Sequence, residues 1–306
     1  MHLFPLILSV LGLCVFEVVS SLDNAVVNAD VLATMTRKGR KWFLIWGIFF
    51  SVFLVRGLLP WFIVWMANPS LGAWGALTAS FSNDPRVAES LEKSAPLLLS
   101  AGGVFLIFLF FHWLFLEPKN FGLSVEKALS KHGGWFFSIV SIILSVLIWF
   151  ALKKDPMMAF TVSLGATTFF MTHGFKEYAA RAEVEMKGRK DLSDISKLLY
   201  LEVLDASFSI DGVIGAFAFT MSVPIILLGN GLGAVVVREL TIRGVDKIKN
   251  YAYLKNGAMY SILFLGLVML VDSFGIHVPH YVAPLVTFTS IGFFFYKSLL
   301  EIKNKK

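Results

Sequence analysis

Glu17-Val18-Val19-Ser20-Ser21-Leu22-Asp23-Asn24 returns in near copy as Asp205-Ala206-Ser207-Phe208-Ser209-Ile210-Asp211-Gly212. Both copies share the order acid-x-x-x-Ser-aliphatic-Asp, and both lie inside strongly apolar stretches. An ionised carboxylate in hydrocarbon costs several kcal/mol unless something pairs with it, so acids at bilayer depth mark a functional site by default. A motif that carries them twice points to a site built from both halves of the chain.

The surroundings of the two copies set the class. Of 306 residues, 57% are hydrophobic and 15% aromatic, with only 16% charged, whereas soluble domains carry closer to a quarter charged residues. Runs such as Leu97 to Leu116, Trp135 to Leu152 and Pro224 to Val237 approach or reach the roughly 20 apolar residues that span a bilayer. The reading is an all-α, polytopic membrane protein, one transmembrane domain over 1–306, because lipid offers no partner for an unpaired amide. The net charge of +6 is spread over short loops, which suits positive-inside topology rather than nucleic acid. One cysteine, Cys14, excludes an internal disulfide. The segment Met1 to Ser20 has no basic n-region and is read as retained rather than as a signal peptide.

Hydropathy with loop punctuation predicts about nine transmembrane helices: 3–33, 42–66, 96–116, 135–152, 157–176, 198–221, 224–242, 254–272 and 280–300. Alternating the loops between two sides places 21 of 27 Lys and Arg residues on one side. That asymmetry predicts an N-terminus outside and a C-terminus in the cytoplasm of a bacterial inner or plasma membrane. The first motif, within 3–66, and the second, within 198–242, would then run antiparallel as an inverted internal repeat. Asp23 is followed by Arg56 and Asp211 by Arg238, so each half pairs acids on one helix with a guanidinium on the next. The loops 67–95 and 177–197 carry little information, the latter read as a solvated charged turn.

Spacing constrains how the acids meet. Glu202 and Asp205 are three apart and share a helix face. Residues six apart, such as Glu17 and Asp23, are rotated by roughly 120° and separated by about 9 Å on a straight helix. Convergence on one ion therefore predicts unwinding at both motifs, where Ser, Asn24 and Gly212 tolerate a break. The expected ligand set is all oxygen: Glu17, Asp23, Asn24, Glu202, Asp205 and Asp211, with Ser21 and Ser209 as additional ligands. Such donors suit hard or borderline divalent cations, Mn²⁺, Ca²⁺ or Mg²⁺, better than Zn²⁺ or Cu⁺. Arg56 and Arg238 are the expected counter-ions or gate of the ion-free site, with protons as a coupling ion.

The remaining conspicuous residues have simpler readings. His112 and His173 are read as satisfied interfacial histidines, and Trp61, Trp65, Trp113 and Trp135 as interfacial anchors. Gly229-Asn230-Gly231-Leu232-Gly233 sits in an apolar span, where it serves close helix packing rather than phosphate binding.

Phe16-Glu17 with Ser21-Leu22-Asp23-Asn24, and Leu201-Glu202-Val203-Leu204-Asp205 with Ser209-Ile210-Asp211, resemble the two acidic motifs of the TerC family of integral membrane proteins. Arg56, Arg238 and Tyr253-Leu254-Lys255-Asn256-Gly257 continue the resemblance, while 67–195 matches only in hydrophobic character. Gly212 stands where the usual second motif has a serine, and Ile214 and Gly215 stand where a proline follows, which suggests a divergent branch. The resemblance implies a LysE-like transporter group, manganese export or metal delivery to secreted enzymes, and an older association with tellurium resistance. It places the metal-ligand role on Glu17, Asp23, Asn24, Glu202, Asp205 and Asp211.

The expected function is a divalent-cation transporter, most simply a Mn²⁺ exporter working by alternating access and coupled to protons. It is not expected to be an enzyme or to carry an organic cofactor; its partners are the ion and the lipid bilayer, with no nucleic acid. Two competing readings are a scaffold for a metal or tellurium stress-response complex and an intramembrane hydrolase using paired aspartates. The second lacks the motifs such enzymes carry.

Overall fold

The computed structural model describes residues 3–21, 25, 29, 31–32, 35–47, 49–50, 56–78, 85–119, 121–188, 193–243 and 251–304. Among these every long element is a helix and there is no strand. In chain order the helices are α1 (Leu3–Ser20), α2 (Arg37–Trp42), α3 (Arg56–Ala67), α4 (Gly72–Thr78), α5 (Pro85–Leu116) and α6 (Ser124–Leu129). They continue with α7 (Trp135–Lys154), α8 (Pro156–Gly188), α9 (Asp194–Ala216), α10 (Val223–Arg243), α11 (Leu254–Ser273) and α12 (Val282–Asn304).

Among the described residues six segments are long and apolar enough to cross a membrane: Leu3–Ser20, Glu92–Leu116, Trp135–Lys154, Val223–Thr241, Leu254–Ser273 and Val282–Asn304. With helices satisfying their own backbone polar groups, this is a multi-pass membrane protein. The expected count of nine is not reproduced. On its described part the predicted span 42–66 holds a π-helical turn, Phe43–Gly47, and the 12-residue α3. The predicted spans 157–176 and 198–221 fall in α8 and α9, long helices that lie outside the apolar set because serine, threonine and charged residues interrupt them. The charged connector 177–197 is also corrected, since α8 stays helical through Gly188.

At the centre is α5, whose membrane-spanning window is 78% buried inside the protein, while that of α7 is only 17% buried and turns most of its surface outward. Backbones approach closely where side chains vanish. A Cβ at Gly103 of α5 would stand 2.9 Å from the Gly266 carbonyl of α11. At Gly165 of α8 it would run into the Ala101 backbone. In lipid, where apolar surface gains little by leaving the tails, such small-residue contacts are a main source of helix association. The same device joins α1 to α10, where Gly229 meets Leu13 and Gly233 meets Glu17 and the Cys14 carbonyl. The glycine-rich run thus packs helices, as its place in an apolar span suggested.

The segment 67–95, read as a loop, is folded on its described part. Trp61 donates to the Ala73 carbonyl at 2.8 Å, and Asn68 links Ser90 and Ser94 of α5 to the end of α3.

Candidate functional site

Glu17 lies in the last turn of α1 and is fully buried. Arg56 opens α3 at 2% exposure and aims its guanidinium at that carboxylate, Nη2 at 2.5 Å and Nε at 3.0 Å from Oε1. On its other side Arg56 Nη1 stands 3.5 Å from Asp205 Oδ2 on α9. Ser21 donates to the same Glu17 oxygen at 2.9 Å. Both copies of the acidic motif therefore converge on one arginine. Glu17 Oε2 has no hydrogen-bond partner among the described residues. It faces Gly212, where a Cβ would overlap it, so the glycine after the second motif makes room for the carboxylate of the first.

A second pair adjoins the first. Glu202 shares a face of α9 with Asp205, as three-residue spacing requires, and its Oε1 lies 3.5 Å from Arg238 Nη2 on α10. Arg238 also donates to the Phe43 carbonyl at 3.0 Å, and its guanidinium lies 3.9 Å from the centroid of the Phe43 ring. Phe43 begins the π-helical turn. Gly47 at the end of that turn abuts both Glu202 and Arg238, leaving no space for a Cβ. Such a turn widens the backbone by one residue and is frequent at functional sites.

Asp211 departs from this arrangement. Unwinding was expected at both motifs, yet α9 runs without a break from Asp194 to Ala216. The straight helix rotates Asp211 away from Asp205, and it pairs instead with Lys176 of α8 at 2.5 Å. The two face a small cavity lined by Phe105, Leu109, Phe169, Thr172 and His173. Ser209 donates back to the Asp205 carbonyl at 2.6 Å, along its own helix. Asp23 and Asn24 lie outside the described residues. His112 is buried against His173, ring centroids 3.7 Å apart, and its Nδ1 has no partner among the described residues, unlike the satisfied interfacial histidine expected.

The described acids therefore do not form one ligand cage. No group of three or more His, Cys, Asp and Glu side chains among the described residues is placed to hold a metal. The cause is electrostatic and geometric together: each acid takes a basic partner, and the intact helix points the acids of α9 to different neighbours. Lys176 escapes a reading of the sequence because it closes an apolar run, where a lysine reads as an interfacial charge. Phe43 gives no signal there, because its role depends on a π turn. Removing Lys176, as in Lys176→Met, should destabilise the protein by about 2–4 kcal/mol through an uncompensated buried carboxylate. Adding Asp211→Asn should recover most of the loss, a coupling that a double-mutant cycle on thermal unfolding in detergent would read.

The helices and the buried charge network define an integral, multi-pass membrane protein with a polar interior. The chain belongs to the family described as Protein of unknown function (DUF475), whose sequence profile matches residues 22–306. This corrects the TerC resemblance: the matching family is a different one, and the short acidic motifs that suggested TerC are a pattern that buried carboxylates on helices can share. The chain is also 28% identical over 104 residues to an uncharacterized membrane protein of Rickettsia prowazekii (strain Madrid E). That match covers 34% of this chain and 35% of the relative, so it spans about a third of each. No solved structure matches.

Proposed function

We propose that this protein is a membrane transporter whose cargo is a divalent cation, and that Glu17 and Asp205 are the carboxylates the cation reaches. The observation that carries the reading is the buried Glu17–Arg56–Asp205 bridge, in which two copies of one acidic motif meet at a single guanidinium. Buried ion pairs contribute little net stability for their desolvation cost, and intramembrane acids commonly mark ion pathways. In this reading Arg56 stands in for the cargo: its positive charge holds the site together when no ion is present, and an arriving cation displaces it. Glu17 Oε2, unpartnered among the described residues, is the oxygen free to accept the ion first. Oxygen donors make Mn²⁺ the first ion to test, followed by Ca²⁺ and Mg²⁺. Coupling to protons and the absence of enzymatic activity belong to the same proposal.

One observation favours a second reading, a membrane scaffold held together by its charges: Glu17, Glu202, Asp205 and Asp211 each already have a basic partner. Flux of Mn²⁺ into proteoliposomes containing the purified protein separates the two. The transporter reading expects flux that Glu17→Gln reduces at least tenfold while the variant stays folded and monodisperse. No flux of Mn²⁺, Ca²⁺ or Mg²⁺ under any imposed gradient, from protein that is folded, would leave the scaffold.

A further inference from the structure

Ahead of the turn that grips Arg238, the chain carries a run of exposed basic and aromatic residues. Arg37, Lys38 and Lys41 of α2 are exposed, and no ion pair among the described residues involves them. Trp42 and Trp46 follow, 52% and 54% exposed, with rings stacked 5.5 Å apart, and Phe49 continues the strip edge-on to Trp46 at 6.3 Å. Tryptophan is favoured at the level of lipid headgroups, where its ring meets both apolar and polar surroundings. Clustered lysine and arginine at that level attract anionic lipid, with about a factor of five in affinity per charge near the surface. The strip combines both features within 13 residues, and Arg37, Lys38, Lys41, Trp42 and Trp46 are all exposed.

The strip is also mechanically tied to the charge network. Thr36 caps α2 by accepting from Gly39 N and donates in turn to Asp194, the first residue of α9. Gly39 is pressed against that aspartate, where a Cβ would collide. Four residues on from Gly39, Phe43 holds Arg238. Anything that fixes α2 therefore fixes the turn beside Glu202.

We infer that Arg37, Lys38, Lys41, Trp42 and Trp46 form a binding site for the headgroup of an anionic phospholipid, and that its occupancy steadies the Phe43–Gly47 turn and so the Arg238–Glu202 pair. The phosphate meets the basic side chains of α2 while the stacked indoles seat the glycerol and upper acyl region. This site is independent of whether the protein transports an ion.

The test uses the full chain in detergent, with phosphatidylglycerol or phosphatidylcholine added, read by native mass spectrometry and by thermal unfolding. Phosphatidylglycerol is expected to be retained at least tenfold over phosphatidylcholine and to raise the unfolding midpoint. The triple variant Arg37→Gln, Lys38→Gln, Lys41→Gln should unfold like the parent without lipid, since these side chains are exposed, and should lose both the preference and the shift. Phe43→Leu should keep the lipid preference and diminish the shift, because it removes the ring that lies against Arg238 and leaves only the main-chain carbonyl contact. Equal retention of the two lipids, or a triple variant that keeps its preference for phosphatidylglycerol, would overturn the assignment of the site. An undiminished shift in folded Phe43→Leu would overturn the link through the Phe43 ring.

Discussion

Arg56→Leu is expected to cost about 3–5 kcal/mol of stability, because it leaves the buried Glu17 carboxylate without its guanidinium and takes one cation away from Asp205. Glu17 is fully buried and Asp205 nearly so, so neither can turn to water for compensation. The loss should be largely recovered in the triple variant Arg56→Leu, Glu17→Leu, Asp205→Asn, since replacing a whole buried charge cluster by apolar or neutral groups is often close to neutral. Thermal unfolding of the two variants in detergent, side by side with the parent, measures both effects. An Arg56→Leu protein that melts with the parent would mean that the carboxylates reach solvent or another cation, and the buried bridge would have to be abandoned. Arg56→Lys should recover only part of the stability, because one ammonium cannot repeat the two contacts that the guanidinium makes with Glu17 while also facing Asp205.

Gly233→Val is expected to destabilise by about 1–3 kcal/mol or more through overpacking at a helix crossing. At this position a Cβ would lie 2.6 Å from Glu17 Cβ and 2.9 Å from the Cys14 carbonyl oxygen. The second of these is backbone and cannot rotate away, so α1 must move off α10 and carry Glu17 with it. The variant should therefore weaken the Arg56 bridge as well as the packing. Gly292→Ala of α12 is the control, because a Cβ there meets nothing within 4 Å. In a helix interior alanine is preferred over glycine by roughly 0.5–1 kcal/mol, so this change should be neutral or mildly stabilising. Equal destabilisation by both substitutions would point to a general intolerance of helix changes rather than to the contact at Glu17.

Parts of this arrangement are legible in the amino-acid sequence. The helical class follows from composition, and the pairing of acids with arginines from the order of the motifs, although which acid takes which arginine does not. Arg56, which the sequence places after the first motif, bridges to the second as well. Gly212 looks like a departure from a family pattern, and its reason is local: the Glu17 carboxylate occupies the volume that a side chain would need. The resemblance to TerC is corrected by the whole chain: the family profile that matches residues 22–306 is a different one, and the short acidic strings alone do not assign a family.

The sequence by itself determined that the chain lives in a membrane, that its backbone is helical and that its few interior acids need partners, because each of these follows from the cost of exposing polar groups to hydrocarbon. Tertiary structure alone decided where those acids point. Asp205 and Asp211 belong to one motif, yet an unbroken α9 sends one to Arg56 and the other to Lys176. Whether a helix breaks at a serine or runs through it depends on what its neighbours offer the backbone and the carboxylates, and that is settled by packing between segments far apart in the chain.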